Sequence, residues 1–209
     1  MVCRSCLDER PAAIVVDTSV VINLNATGCA DAIRRALPNR CIVVEQVSLE
    51  LQVGRRTGRG DADALAMLIE QKLVEHAQVG DTGMRHFTTL VTGPAVETLD
   101  DGEAGTIACA LEQGAVALVD ERQAIRICAE RFPSLGIGCT IDVLAQRHVQ
   151  AALGSSLADV VFNALDRGRM RVPDHYGHWV VDLIGKERAA ECRSLPKRFR
   201  AANPQPRST

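Results

Sequence analysis

The sequence predicts an α/β protein whose central parallel sheet is covered by helices on both faces and followed by further C-terminal helices. Short β-branched apolar runs alternate with amphipathic segments along the chain. The runs are continuously apolar rather than alternating, which is typical of parallel strands buried on both faces. With 209 residues, of which 46% are hydrophobic and 24% charged, the chain is long enough to bury a sizeable core.

Apolar runs and helical periodicity place the individual elements. The predicted strands are residues 13–17, 41–45, 115–120 and 136–141. The predicted helices are residues 61–77, 102–114 and 121–132. For the domains we expect a disordered leader over residues 1–12, a main α/β domain over 13–150, a helical extension packed on it over 151–192, and a basic polar tail over 193–209.

Charge and cysteine usage narrow the class of protein. The net charge is −2, but every charged residue from Arg193 onward is basic, so the tail can attract a polyanion. Most of the eight cysteines lie in apolar segments, which predicts reduced, buried thiols and a cytoplasmic protein. Cys3 and Cys6 form a lone CxxC pair, whereas a zinc site needs four ligands. The longest apolar runs are far shorter than the ~20 residues that span a membrane.

Acidic residues stand where predicted strands end and where one predicted helix begins. Asp17 ends the first apolar run and is followed by Thr18 and Ser19, and Asp120 ends a later run. Ligands of open parallel sheets bind outside the carboxyl ends of the strands, so both carboxylates are expected at one rim. Glu103 lies in the first turn of a helix, on its apolar face, and is expected to point toward the same rim. Glu50 is a fourth candidate.

Each of these acids also has a purely structural interpretation. Asp17 could cap the helix that begins near Val20, and Asp120 could cap the helix over 121–132. Asp100 or Asp101 is expected to cap the helix that contains Glu103. Four converging carboxylates would raise one another's pKa unless a cation lay among them. Oxygen ligands without His or Cys suit Mg²⁺ or Mn²⁺.

Four segments, in this order, carry a resemblance to a known family: "IVVDTSVVINL", "VSLELQVG", "LDDGEAGTIACALEQGA" and "ALVDERQAIRICAE". Together they resemble the PIN-domain family of metal-dependent nucleases, which includes toxins of toxin–antitoxin pairs. The resemblance covers about residues 13–150. It implies an acidic catalytic set of Asp17, Glu50, Glu103 and Asp120, of which Asp17, Glu103 and Asp120 bind the metal. Many toxin members have Thr or Ser two residues before the last acid, where this chain has Leu118, so Asp120 and Glu121 both stay open as the last ligand.

The resemblance implies a Mg²⁺- or Mn²⁺-dependent ribonuclease that hydrolyses RNA phosphodiester bonds. Thr18 and Ser19 would orient water or the phosphate. For RNA binding we expect basic residues of the Gly-rich loop 54–60 and of the helix after Asp120, namely Arg55, Arg56, Arg59 and Arg122. The expected partners are RNA, an antitoxin if the chain is a toxin, and a second copy of the chain, since residues 157–187 are rich in apolar side chains. The alternative is a catalytically silent PIN-like module that binds RNA or protein.

Overall fold

The computed structural model describes residues 5–8, 13–56 and 58–200. Its strands are β1 (Ala13–Val16), β2 (Arg40–Val44), β3 (Glu75–Ala77), β4 (Val116–Leu118) and β5 (Ile137–Gly138). Its helices are α1 (Thr18–Ala26), α2 (Ala30–Ala36), α3 (Glu45–Arg55), α4 (Asp61–Glu70), α5 (Asp81–Val91), α6 (Asp101–Gln113), α7 (Arg122–Arg131), α8 (Thr140–Ala145), α9 (Arg147–Leu153), α10 (Leu157–Asp166), α11 (Gly177–Ile184), α12 (Lys186–Glu191) and α13 (Lys197–Arg200).

The five strands form one parallel sheet in the order β3-β2-β1-β4-β5. Helices flank the sheet, and α6 packs directly on β1, β2 and β4. The predicted three-layer α/β/α architecture with C-terminal helices is therefore confirmed. Because β1 has β2 on one side and β4 on the other, the chain reverses its direction of winding next to β1. In such a sheet this reversal opens a crevice at the carboxyl ends of the central strands.

The central strand β1 shows why the apolar runs form the middle of the sheet. All four of its residues are buried, and Val15 is completely inaccessible to solvent. Burying a Val or Ile side chain stabilises the fold by about 1.5–3 kcal/mol. In a strand covered on both faces, every residue contributes this stabilisation. Continuous apolar sequence therefore favours the central positions over the edges.

The predicted helix over residues 61–77 is wrong in its C-terminal part. Helix α4 ends at Glu70, and the chain then turns through Lys72, whose φ is 59°. The next residues form the edge strand β3, in which Glu75 is paired with Ile42. An ion pair of 2.7 Å between Arg40 and Glu75 reinforces this edge. Side-chain periodicity could not reveal the strand, because the backbone partners that define it lie about thirty residues away.

All four predicted strands end earlier than the sequence suggested, the first of them at Val16, because their last residues belong to the following helix or loop. The second ends at Val44, since Glu45 already belongs to α3. The third ends at Leu118, two residues before Asp120. The fourth contains only Ile137 and Gly138, since Thr140 starts α8.

Part of the predicted leader packs on the domain. Leu7 is 2% exposed, and the Ser5 hydroxyl donates a 2.6 Å hydrogen bond to the backbone carbonyl of Asp142. The prediction of disorder is therefore wrong for residues 5–8, which a buried leucine ties to the core. Cys3, and with it the CxxC pair as a whole, lies outside the described residues.

The helices after residue 150 bury most of their apolar residues within the chain. Val160, Val161, Leu165, Val180 and Ile184 are buried, and Phe162, Trp179, Val181 and Leu183 are partly buried against the core. Their apolar content therefore gives no support to a homodimer, which stays a prediction. No helix among the described residues is both long and apolar enough to span a membrane. Cys41, Cys109, Cys128 and Cys139 are free and buried, as predicted.

Candidate functional site

Asp17 and Asp120 lie at the crevice beside the central strand. Asp17 directly follows β1, and its backbone N–H donates a 3.1 Å hydrogen bond to the carbonyl of Leu118 at the end of β4. Asp120 follows the same strand by two residues. The two acids therefore come from neighbouring strand ends, as the sequence predicted for strands that share a rim.

The two carboxylate oxygens of Asp17 have different environments. Oδ2 accepts hydrogen bonds from the backbone N–H and the hydroxyl of Ser19, at 3.1 and 2.7 Å, and so caps α1. Oδ1 is buried and has no hydrogen-bond partner among the described residues. Capping is thus established, and it uses only one of the two oxygens. An unpaired carboxylate oxygen without access to water is costly, so Oδ1 is suited to an additional positive ligand.

Burial raises the pKa of Asp17 to about 6, although the hydrogen bonds from Ser19 oppose this rise. The negative charge of Asp100 raises the pKa further. The Asp17 carboxylate is therefore held in a place where its ionised form is disfavoured in the absence of a cation.

Glu103 lies in the first turn of α6, which begins at this crevice. Asp100 caps that helix, as expected, by accepting a 2.8 Å hydrogen bond from the Glu103 backbone N–H. The Glu103 side chain is buried, and burial raises its pKa to about 8. Repulsion from Asp100, Asp17 and Glu121 adds to this rise. Four acids thus act on one another here, and two of them, Asp17 and Glu103, are buried.

Glu50 holds the first turn of α6 in place. Its Oε1 accepts a 2.7 Å hydrogen bond from the backbone N–H of Gly102, and its Oε2 accepts one from the Thr18 hydroxyl. A Cβ atom at residue 102 would collide with the Glu50 carboxylate, so only glycine permits this close approach. Burial and the nearby Asp100 raise the pKa of Glu50. The "DDGEA" motif therefore combines a cap, a contact to Glu50 and the buried Glu103.

Asp120 is surrounded by hydrogen-bond donors. Its Oδ1 accepts from the Thr140 backbone N–H at 2.9 Å, and its Oδ2 accepts from Asn23 at 2.6 Å and from the Thr140 hydroxyl at 2.5 Å. Burial raises its pKa, while these hydrogen bonds lower it. Asp120 does not cap α7, whose N-cap is Glu121. Glu121 is exposed and contributes to the raised pKa of Glu103.

The donor set fits a hard divalent cation, but incompletely. Within residues 5–8, 13–56 and 58–200, no three His, Cys, Asp or Glu side chains are grouped closely enough to hold a metal as they stand. The crevice contains an unpaired buried oxygen on Asp17 and the buried side chain of Glu103. Among the described residues, no Lys or Arg forms an ion pair with either carboxylate. Mg²⁺ is commonly bound by one or two carboxylates and several waters, so Asp17 and Glu103 would supply the protein's part of such a donor set.

The predicted RNA-binding arginines separate into two groups. Arg55 forms an ion pair of 3.2 Å with Asp63, and Arg56 is exposed at the end of α3. Arg59 forms an ion pair with Asp61 and lines an open cleft beside Asp120. Arg122 begins α7 and lies near Arg171, whose pKa is lowered by burial and by the charge of Arg122. Arg59 and Arg122 therefore lie near the acidic crevice, whereas the cleft lining does not include Arg55 or Arg56.

This cleft, of about 530 Å³, contains cations that the sequence analysis missed. They come from the arginine loop, which we define as residues 167–171, "RGRMR", between α10 and α11. Arg167, Arg169 and Arg171 line the cleft together with Asp120 and Glu121. The alternation of arginine with small or apolar residues around a glycine is a signal that could have marked this loop.

Comparison with known proteins agrees with this arrangement. Residues 13–186 match the family DUF3368, described as a PIN domain. The match extends beyond residue 150 and includes the arginine loop. No curated protein matches the chain. The match covers most of the 209 residues and the fold agrees with it, so the chain belongs to the PIN-domain family, a family of nucleases.

Proposed function

We propose that this chain is a ribonuclease that hydrolyses RNA phosphodiester bonds with the help of Mg²⁺ or Mn²⁺ bound at the acidic crevice. One observation carries the proposal: the buried Asp17 Oδ1 has no hydrogen-bond partner among the described residues, and it lies beside Glu103, whose charge is suppressed by burial and by neighbouring acids. Such a pair is unfavourable without a cation and favourable with one.

Asp17 and Glu103 would hold the cation, and Glu50 would support them by fixing the first turn of α6. A divalent cation bound there would lower the pKa of an attacking water and stabilise the charge that develops on the phosphate. Ser19 keeps Asp17 in its orientation through two hydrogen bonds. Thr18 does the same for Glu50. Both hydroxyls thus donate to carboxylates, and their direct contact to water or phosphate stays a prediction.

For the last ligand, the local environment favours Glu121 over Asp120. The Asp120 oxygens already accept three hydrogen bonds, two of them from Thr140. Glu121 is exposed and acts on Glu103. We therefore propose Asp120 as the residue that links α1, β4 and α8 at the crevice, and Glu121 as the acid that completes the metal site when substrate and cation are bound.

A test needs both cleavage and metal binding. The wild-type chain should cleave a fluorescently labelled RNA with Mn²⁺ or Mg²⁺ and lose this activity in EDTA, and Asp17→Asn and Glu103→Gln should both be inactive while remaining folded. Mn²⁺ should raise the melting temperature of the wild type, and EDTA should abolish the rise. A chain that binds RNA but shows neither cleavage nor a metal-dependent shift would be the silent PIN-like module instead.

We further propose that this ribonuclease acts in the cell as the toxin of a toxin–antitoxin pair, with the same active site. This role predicts that expression of the wild-type chain arrests growth and that the Asp17→Asn chain does not. A processing nuclease would show the same cleavage in vitro without growth arrest.

A further inference from the structure

The arginine loop has a position and a charge that the acidic crevice does not explain. Its residues alternate in burial: Met170 and Val172 are buried, whereas Arg167 and Arg169 are exposed and Arg171 is half-buried. The backbone N–H of Met170 donates a 2.9 Å hydrogen bond to the carbonyl of Ala164, which ties the loop to the end of α10. The apolar side chains therefore anchor the loop and turn its arginines outward.

Gly168 fixes the loop against the crevice. A Cβ atom at residue 168 would lie 2.6 Å from the Asn23 side-chain oxygen and 2.8 Å from the carbonyl of Ala164. Asn23 is the residue that donates a hydrogen bond to Asp120. Arg171 also reaches this point, since its Nη1 lies 3.5 Å from the carbonyl oxygen of Asp120. The loop is thus held directly beside the acidic crevice by a close backbone contact.

The charges of the loop are available for a ligand. Arg167 and Arg169 have no ion-pair or hydrogen-bonding partner for their guanidinium groups among the described residues, unlike Arg55, Arg59 and Arg126, which pair with acids. Arg169 has a left-handed backbone, with φ of 61°, which costs a non-glycine residue free energy. The exposed, unpaired side chain of Arg169 therefore stands on a strained backbone.

Arg169 also connects two clefts. It lines the cleft that contains Asp120 and a second one that contains Asp166, Glu191 and Arg193. The second cleft leads to the start of the basic C-terminal segment. Arginine is suited to phosphate because its guanidinium presents several donors in a plane. A chain of phosphates could therefore run from the acidic crevice across the loop.

We propose that the arginine loop binds backbone phosphates of the RNA strand as it leads away from the acidic crevice, with Arg167 and Arg169 as the main contacts. This inference rests on the proposed ribonuclease function for its choice of ligand. It makes the segment predicted as a packing extension part of the substrate site. Since phosphates carry no base information, the loop adds affinity for any sequence.

The test measures RNA binding without catalysis. The full chain in EDTA is titrated into a fluorescein-labelled 12-nucleotide oligouridylate, and the dissociation constant is followed by anisotropy over a range of KCl concentrations. Each phosphate contact to a single strand contributes about 0.7 to the slope of log K against log salt. The Arg167→Ala/Arg169→Ala chain should bind about tenfold more weakly at low salt and lose about 1.4 from the slope.

Two matched variants control this experiment. Arg85→Ala removes an exposed arginine of α5, which does not line the cleft, and should leave affinity and slope unchanged. Arg167→Lys/Arg169→Lys keeps both charges and should retain most of the slope. All variants should keep the wild-type melting temperature, because the side chains are exposed. The double alanine variant should also bind a single-stranded DNA of the same length more weakly than the wild type does, by about the same factor as for the RNA.

The outcomes are separable from those of the proposed function. Equal affinity and slope for the double alanine variant and the wild type would overturn the loop assignment even if Mn²⁺-dependent cleavage is observed. Equal losses for Arg85→Ala and the double variant would also overturn it, since binding would then follow overall charge. Loop-dependent binding without Mn²⁺-dependent cleavage would support the loop and refute the ribonuclease.

Discussion

Asn23 donates a 2.6 Å hydrogen bond to Oδ2 of Asp120, and this bond joins α1 to the residues that follow β4. The Thr140 hydroxyl donates to the same oxygen. Both donors are buried, so each bond to the carboxylate is made away from water. Asp120 thus ties the first helix, the central sheet and α8 together at the crevice.

Thr140→Val should destabilise the protein by about 1–3 kcal/mol, because it removes a hydroxyl bond to a buried carboxylate while keeping the side-chain shape. The loss should be larger near pH 8 than near pH 5, since the bond favours ionised Asp120 and the variant raises its pKa further. Urea unfolding at both pH values measures this. Thr106→Val is the matched control: the buried Thr106 hydroxyl has no partner among the described residues, so its removal should be neutral or stabilising. Equal losses for the two variants would contradict the role of the Asp120 bond.

Asp17→Asn should abolish Mn²⁺-dependent RNA cleavage without loss of stability in EDTA. Asn is as good an N-cap as Asp. The pKa of Asp17 is raised from 3.8 to about 6, so its ionisation costs the wild type up to about 3 kcal/mol as pH rises through this interval. The variant removes this cost, and its gain in stability should grow between about pH 4 and pH 7. Asp81→Asn, at an exposed acid of α5, should change neither property. Retained cleavage would refute the metal role of Asp17.

Glu103 should make metal protection dependent on pH. Its pKa is raised to about 8, so in EDTA the wild type should lose stability as pH rises from 4.5 through 8. A cation binds the ionised form, and the Mn²⁺-induced rise in melting temperature should therefore increase over the same interval. Glu103→Gln should remove both dependences above about pH 6, where Asp17 is already ionised, whereas Glu130→Gln, at an exposed acid paired with Arg126, should not. A Mn²⁺ effect that is constant from pH 6 to pH 9 would argue against Glu103 as a ligand.

Gly168→Ala should destabilise the protein by about 1–3 kcal/mol, because the added methyl group collides with Asn23 and with the carbonyl of Ala164. It should also weaken RNA binding in EDTA, since the loop must move away from the crevice. Gly54→Ala provides a contrast: its Cβ atom would meet the Arg59 side chain at an ordinary 3.5 Å inside helix α3, so it should stabilise the protein by about 0.5–1 kcal/mol. Thermal unfolding of the two variants should thus shift in opposite directions.

Local sequence was informative where local chemistry decides the structure. Asp100 caps α6, and the buried strands follow apolar runs. Local sequence also placed Asp17 at the end of a strand and Glu103 at the start of a helix, at the same rim of the sheet. These inferences depend on neighbouring residues and on the geometry that all parallel sheets share.

Contacts between residues far apart in the sequence could not be predicted in the same way. Asp120 is occupied by Asn23 and Thr140, which lie 97 and 20 residues away, so nothing in the "ALVDERQ" segment shows that its oxygens are engaged. Likewise, the importance of Gly168 comes from the close contact with Asn23 rather than from its own neighbours in sequence. Edge strand β3 was missed because it depends on pairing with β2.

The two edges of the sheet limit how other proteins can join it. Strand β3 has three residues and carries the Arg40–Glu75 ion pair, and β5 has two residues, one of them Gly138. Short and charged edges discourage pairing with a strand from another molecule. A second copy of the chain or an antitoxin is therefore expected to contact helices and loops, and the sheet is protected from the edge-to-edge association that leads to aggregation.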